Sequence, residues 1–373
     1  MNQPLPIQLP LAGIRVLELG SNVSGPYGTW ILAALGADVV KVERPGGGDD
    51  ARGWGPPFWR GAATVFQTIN RDKSSITVDF KDADALAELR QRIATDTDVV
   101  LQNLRPGVAD KLGLGAAAMT AASPRLIYCN LWAFGAKGPL ADRPGFDALM
   151  QAFGGIMAVT GEEGRPPVRA GVSIVDMGTG MWSAIGILAA LNRRHESGRG
   201  GVIDTSLYET ALGWTAYYSA DVQVNGQIPQ RHGSGVRGIM PYQAYDCADG
   251  YLVVAASNDR LFHNLAAELG HGEWLDDPRF VDNPARSSHR EELNALLIPI
   301  FKAETRAHWQ ERLDVAGVPN APIQHAGEVV AHPQTQALDI LQDTGHGVSL
   351  VGLPLSFDGE RPPLRNIAPE LKE

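Results

Sequence analysis

The 373-residue chain is 44% hydrophobic and 20% charged, the balance of a folded globular protein and not of a disordered one. Its length suggests about two domains. Its formal net charge of −10, with a pI near 5.4, argues against a general binder of nucleic acid or anionic membranes, which carries a basic excess, while leaving room for a local basic pocket. Cys129 and Cys247 stand in no CxxC pair, so no metal or redox framework is readable and a reducing compartment suits them. The N-terminal MNQPLPIQLP lacks the basic and apolar regions of a signal peptide, and the longest apolar run, Met181 to Leu191, is too short to cross a bilayer. The expectation is a cytoplasmic protein without nucleic-acid or membrane partners.

In chain order, Ile14–Leu19 reads as a strand, GSNVSGPYG as a loop, Thr29–Ala37 as a helix and Val39–Glu43 as a second strand, a βαβ unit with parallel strands. Ser75–Asp79 is strand-like, Ala83–Thr95 an amphipathic helix, Asp98–Gln102 a strand leading into NLRPG, and Arg125–Leu131 another strand. This alternation predicts an α/β sheet with ligands held beyond the carboxyl ends of the strands, so the loops at 20–28, 43–53, 103–107 and 132–146 form one candidate site. A helix is expected over 182–195, burying Trp182, Ile185, Leu188 and Leu191 and ending in Arg193, Arg194 and His195 before Gly198. After about Ala220 the chain turns Gly-rich and polar. A strand at YLVVAAS and helices at 259–271 and 288–314 then suggest a smaller α+β domain. The division expected is 1–224 for the large domain, 225–325 for the small one, and 326–373 for a return to the large domain.

Several motifs are absent. Gly20, Gly25 and Gly28 do not have the spacing of a dinucleotide fingerprint, no GK[ST] follows, and neither HExxH nor GxSxG occurs. In VERPGGGDDARGWG, Lys41, Arg44 and Arg52 suit phosphates and Trp54 suits an apolar or aromatic group. In SIVDMGTGMWSAIG, Asp176 has two readings. Its carboxylate suits the N-cap of the helix that follows. Gly178 and Gly180 close by also suit a close-lying ligand, and a carboxylate beside a held carbonyl is a nucleophile.

The stretches PLAGIRVLELGSNVSGPYGTWILAALGADVVKVERPG, NLRPGVADKLGLG, RPGFDALMQAFGGIMAVTG and VDMGTGMWSAIGILAAL resemble the class III CoA-transferases (the formyl-CoA transferase and CaiB/BaiF family) over nearly the whole chain. The resemblance implies a Rossmann-like large domain with a smaller α+β domain, in an interlocked homodimer. It implies Asp176 as the catalytic aspartate. Arg44 falls at the nucleotide end of CoA, Ile69 and Lys73 near its adenine, Asn103 and Lys111 along the CoA site, and Val23 and Ser24 near the acyl end. Arg231–Gly238 resembles a glycine loop covering the active site. CoA and acyl-CoA enter as substrates, with no permanently bound cofactor and no metal. Oxalate-specific members carry a glutamine where Val23 stands here.

That resemblance implies attack of Asp176 on an acyl-CoA thioester, then an aspartyl-CoA thioester that passes CoA to an acceptor carboxylic acid, with backbone N–H groups around Gly178 or in the glycine loop as oxyanion donors. Two other readings stay open. A 2-methylacyl-CoA racemase pairs the aspartate with a histidine, but here the stretch is Gly145-Phe146-Asp147, and His195 is expected about 25–30 Å along the helix from Asp176. Asp147 or His232 would have to substitute. A non-catalytic CoA-binding protein would not need Asp176.

Overall fold

The computed structural model describes residues 9–372; Met1–Gln8, on which the leader reading above largely rests, lie outside them. The chain forms two compact units. One takes in residues up to 157, 169–227 and 334 onward; the other takes in 158–168 and 228–333.

The first unit is built on six parallel strands: β1 (Arg15–Leu19), β2 (Asp38–Glu43), β3 (Lys73–Thr77), β4 (Val99–Gln102), β5 (Ile127–Trp132) and β6 (Gly201–Ser206). Their order is β3-β2-β1-β4-β5-β6. It reverses between β1 and β4, and a doubly wound sheet holds its ligands at that reversal. The four central strands, β2, β1, β4 and β5, are buried on both faces, which explains their near-continuous apolar runs, whereas the edge strands β3 and β6 are only partly buried.

Charge is nonetheless built into this core. The register sets Glu18 of β1 opposite Lys41 of β2. The Glu18 carboxylate accepts from Lys41 Nζ at 2.7 Å, Lys73 Nζ at 2.8 Å and Thr29 Oγ1 at 2.6 Å. Lys41 also donates to Gly20 O at 2.8 Å and pairs with Asp49 at 2.8 Å. Burial alone would push Glu18 up, but the two ammonium groups hold it down at about 2.

Five helices matter to the site: α1 (Ser24–Ala34), α2 (Ala83–Asp96), α3 (Asp147–Phe153), α4 (Ile174–Ser197) and α5 (Leu207–Trp214). Two begin earlier than their composition predicts. α1 starts at Ser24, so most of the glycine-rich stretch expected as a loop is its first two turns. Glycine is a poor helix former, yet here it permits contact. A Cβ on Gly28 would lie 2.9 Å from Gly180 O, and one on Gly180 would lie 2.6 Å from Ser24 O. α4 starts at Ile174 and not near 182. Its buried face is Val175, Thr179, Ser183, Ala184, Ile187 and Ala190. Trp182 and Ile185, expected inside, are 47% and 51% exposed, while Leu188 and Leu191 are half-buried. The backbone contact through Gly28 and Gly180 fixes which face turns inward, overriding the larger apolar side chains. Counted from Ile174, the helix is also long and apolar enough to meet the membrane-spanning criterion by length and composition, but its small-residue face packs on α1 and the sheet.

The C-terminal segment belongs to this unit. Asp72 accepts the backbone N–H groups of Arg365 at 2.7 Å and Asn366 at 2.8 Å. The second unit has three antiparallel strands, β7 (Tyr242–Cys247), β8 (Gly250–Ala255) and β9 (Asn320–Pro322), in the order β9-β8-β7. Helices α6 (Asp259–Leu269), α7 (Arg290–Lys302) and α8 (Arg306–Val315) close a core around Leu252, Phe262, Leu297 and Phe301.

Candidate active site

Asn103, the residue after β4, spans the reversal in strand order. Its side chain accepts from Ser21 N and donates to Ser21 O, both at 2.9 Å, and so clamps the turn after β1. Val23 and Ser24 follow at the start of α1, buried at 7% and 4% exposure. The Gly28–Gly180 contact carries this turn onto α4, where Asp176 sits.

Asp176 is the third residue of α4 and does not cap it; the N-cap position is Ser173, whose side chain makes no capping bond. The cap comes from another element. Asp147, the first residue of α3, accepts Val175 N at 2.8 Å and Asp176 N at 3.1 Å through one carboxylate oxygen. Its other oxygen accepts Gln151 Nε2, and Gln151 Oε1 accepts Ala170 N at 2.8 Å. Asp147 and Gln151 are buried. Ile174 N and Met177 N are taken by Val172 O and Ser173 O at 2.8 and 2.9 Å. The first-turn donors of α4 are thus occupied, and the Asp176 carboxyl is left out of the cap.

Its environment penalises charge. Burial and the neighbouring Asp147 raise the Asp176 carboxyl to about 7, with the Ser24 hydroxyl pulling the other way. A strongly raised carboxyl beside a specific charged partner marks a candidate functional residue.

The glycines after Asp176 serve packing. A Cβ on Gly178 would lie 2.8 Å from Trp214 Cζ2 and 2.9 Å from Thr210 Cγ2, and Gly180 faces α1. Gly178 lies within an unbroken helix, so its N–H is committed to the helical ladder and is not an oxyanion donor.

The remaining sequence-predicted residues divide. Lys73 opens β3 and points inward. Its side chain is fully buried, and Nζ donates to Glu18, to Pro26 O at 2.8 Å and to Asn70 Oδ1 at 2.9 Å, so all three protons are used. Its ammonium group is therefore not free to contact CoA. Ile69 is likewise buried, at 6% exposure, and offers little surface to a base. Lys41 and Arg52, read as phosphate candidates, are spent on carboxylates, Arg52 on Glu43 at 2.7 Å. Arg44 and Lys111 are exposed, and Arg44 pairs with the exposed Asp50. Phe146 precedes α3 at 58% exposure and has no proton to exchange. His195 is exposed in the last turn of the 24-residue α4, far along the helix from Asp176. Within the second unit, the loop after Ile228 is tied down: Arg231 donates to Arg165 O at 2.7 Å, Gly233 N to Gly161 O at 2.9 Å, and Arg290 to Val236 O at 3.0 Å. The burial of Asp147 against α4 was not readable from its sequence neighbours; an acidic residue opening GFDALMQ marks only a helix start.

A doubly wound parallel sheet of this kind belongs to the α/β class that binds ligands beyond the carboxyl ends of its strands, at the reversal in strand order. The family model for CoA-transferase family III matches residues 11–373, and the chain belongs to that family. It is 36% identical, over 97% of its length and 92% of the relative's, to a succinate–glutarate CoA-transferase of Agrobacterium fabrum. It is 36% identical, over 98% and 93% respectively, to an acetyl-CoA:oxalate CoA-transferase of Acetobacter aceti. A crystal structure of a CaiB/BaiF family protein from Brucella suis superposes with a TM-score of 0.88 at 39% identity, covering 97% of this chain and 96% of that one.

Removing the Asp147 cap should destabilise the protein. Asp147→Ala is expected to cost about 1–2 kcal/mol in denaturant unfolding. Asp147→Asn keeps an acceptor oxygen and should cost less, but it removes the charge that raises Asp176. The Asp176 titration should then fall below about 7, read by carbon-13 NMR of the labelled carboxyl. An unchanged titration would show that the two carboxyls do not interact.

Proposed function

We propose that this chain moves CoA from an acyl-CoA donor to a short dicarboxylic acid, with Asp176 as covalent nucleophile. The observation that carries the reading is the Asp176 carboxyl itself: excluded from the helix cap, partly buried, and raised to about 7. A carboxylate of that basicity is a better nucleophile than a free aspartate. The named activities of the relatives, on glutarate, succinate and oxalate, support the acceptor class.

In this mechanism an Asp176 oxygen attacks the thioester carbonyl, the C–S bond breaks, and CoA leaves as thiolate from a mixed anhydride. The thiolate attacks the Asp176 carbonyl and expels the donor acid, leaving an aspartyl-CoA thioester. The acceptor carboxylate attacks that thioester, forming a second anhydride and freeing the thiolate again. The thiolate then attacks the acceptor's acyl carbon, giving the new acyl-CoA and restoring Asp176. No redox partner or water is consumed. Val23, Ser24 and Asn103 are assigned to the acyl and pantetheine side, and Arg44 and Lys111 to the phosphates. The exposed Arg44–Asp50 pair is weak enough to exchange for a phosphate. Ile69 and Lys73 support the site from beneath.

The racemase alternative requires a proton partner. Phe146 has none, and the Asp147 carboxylate is engaged by two N–H groups and Gln151. Incubation with a 2-methylacyl-CoA in deuterated water should give CoA transfer only when a dicarboxylic acid is added, and no deuterium at the α-carbon without it. Deuterium incorporation without acceptor would overturn the transferase reading.

The proposal extends to a homodimer. Trp182, Ile185, Trp214, Tyr217 and Val224 of the first unit are 47%, 51%, 39%, 62% and 86% exposed, apolar side chains that a second copy would cover. Sedimentation equilibrium should give twice the 39.9 kDa chain mass down to nanomolar concentrations. An active monomer would refute it.

A further inference from the structure

We infer that the C-terminal segment, residues 365–372, is a positioning strap for the turn at 44–53: it holds that turn in the shape that presents Arg44 to the nucleotide end of CoA. The inference rests on the assignment of Arg44 to the CoA phosphates.

The turn has little of its own to fix one shape. Gly46, Gly47 and Gly48 follow one another, all with positive φ. Its inner side is set by Glu43, the last residue of β2. The Glu43 carboxylate accepts Asp49 N at 2.9 Å, Arg52 Nε and Nη2 at 2.7 Å each, and Ser75 Oγ at 2.6 Å. Gly48 N donates to Arg44 O at 3.2 Å and closes the turn. Asp49 also accepts Asn22 N at 3.0 Å, which ties the turn to the loop after β1.

The outer side is set by the end of the chain. Residues 361–372 form no helix or strand, and a terminus of that kind is ordered only where it is tied down. Asp72 anchors it at Arg365 and Asn366. Beyond that anchor its contacts gather on and beside the turn. Pro369 O accepts Arg52 Nη2 at 3.0 Å, Glu370 pairs with Arg60 at 3.1 Å, and Lys372 O accepts Thr77 Oγ1. Ala368 is buried in one cluster with Ala51, Ala62 and Phe66. Leu371 lies against Gly48, where a Cβ would stand 3.0 Å from Leu371 Cδ1 and 2.4 Å from Glu43 Oε2. Glu43 and the strap therefore grip the turn from two sides, and Arg52 bonds to both.

This grip matters because Arg44 has no anchor of its own. Its side chain is exposed and pairs with Asp50, which sits on the same turn. The reach of the guanidinium is decided by the backbone that carries it. A loose turn would have to be ordered each time CoA bound, and that ordering subtracts from affinity; a strapped turn is ordered beforehand.

The test is calorimetric titration with CoA of wild type, a chain ended at Ile367, the full-length variant Glu370→Ala/Leu371→Gly, Arg44→Ala, and Arg44→Ala combined with the truncation. Ending the chain at Ile367 keeps the Asp72 anchor and should weaken CoA about tenfold, the loss of roughly one charge-assisted contact. Arg44→Ala should weaken it to a similar degree, and adding the truncation to Arg44→Ala should weaken it less than about twofold further, because both changes remove the same contact. Glu370→Ala/Leu371→Gly loses only side chains and should weaken CoA about threefold, which decides the matter if the shortened chain does not fold. Unchanged CoA affinity in a strap variant with the wild-type unfolding midpoint would overturn the inference. So would losses that multiply in the combined variant, since the strap would then act elsewhere than through Arg44. If Arg44→Ala alone binds CoA like the wild type, the assignment of Arg44 fails instead, and the two failures are distinguishable.

Discussion

One carboxylate, that of Asp147, settles what Asp176 is free to do. A helix start leaves backbone donors that must be met, and an acidic residue in the first turn usually meets them. In this fold α3 supplies that acid from outside. Asp147 takes the Val175 and Asp176 N–H groups, and Gln151 holds Asp147 in turn. The same substitution that frees Asp176 from capping sets a second carboxylate beside it, which opposes its ionisation. Asp147 thus takes part in both effects: it relieves Asp176 of capping and, after burial, raises its carboxyl.

The remaining architecture keeps α1 on that spot. Glu18, Lys41 and Lys73 form a fully buried ion cluster across three neighbouring strands, reaching α1 through Thr29 and Pro26. Such clusters are weak contributors to stability compared with an apolar core, but breaking one member leaves an unpaired buried charge. Here the cluster fixes the height and rotation of α1, and the Gly28–Gly180 contact transfers that placement to α4. The packing is therefore continuous from the floor of the sheet to Asp176, the proposed nucleophile.

Much of this was legible in the sequence, and the parts that were not share a cause. The strands, with their apolar runs and βα alternation, gave the parallel sheet, and the quoted motifs led to the family that the full-length match shows. Asp176 stood out by its glycines. What those glycines do was not legible. GSNVSGPYG looks like a loop because its propensity is poor, and it is helical because another backbone lies against it. Trp182 and Ile185 look like core because they are large and apolar, and they are outside because Thr179, Ser183 and Ala184 allow the close approach. Lys41 looks like a ligand for phosphate because it is charged, and it is a strut because Glu18 lies opposite it on the next strand. Each miss is a tertiary partner that a single sequence does not display.

The account turns on a bond forming at Asp176. The most direct measurement is intact-protein and peptide mass spectrometry of the enzyme mixed with an acyl-CoA donor and no acceptor, quenched in acid within milliseconds to seconds. A covalent CoA adduct on the peptide containing Asp176, discharged by adding a dicarboxylic acid and absent in Asp176→Asn, is the predicted result. Acceptor-dependent CoA transfer at full rate by Asp176→Asn, with no adduct on any carboxyl in the wild type, would contradict it.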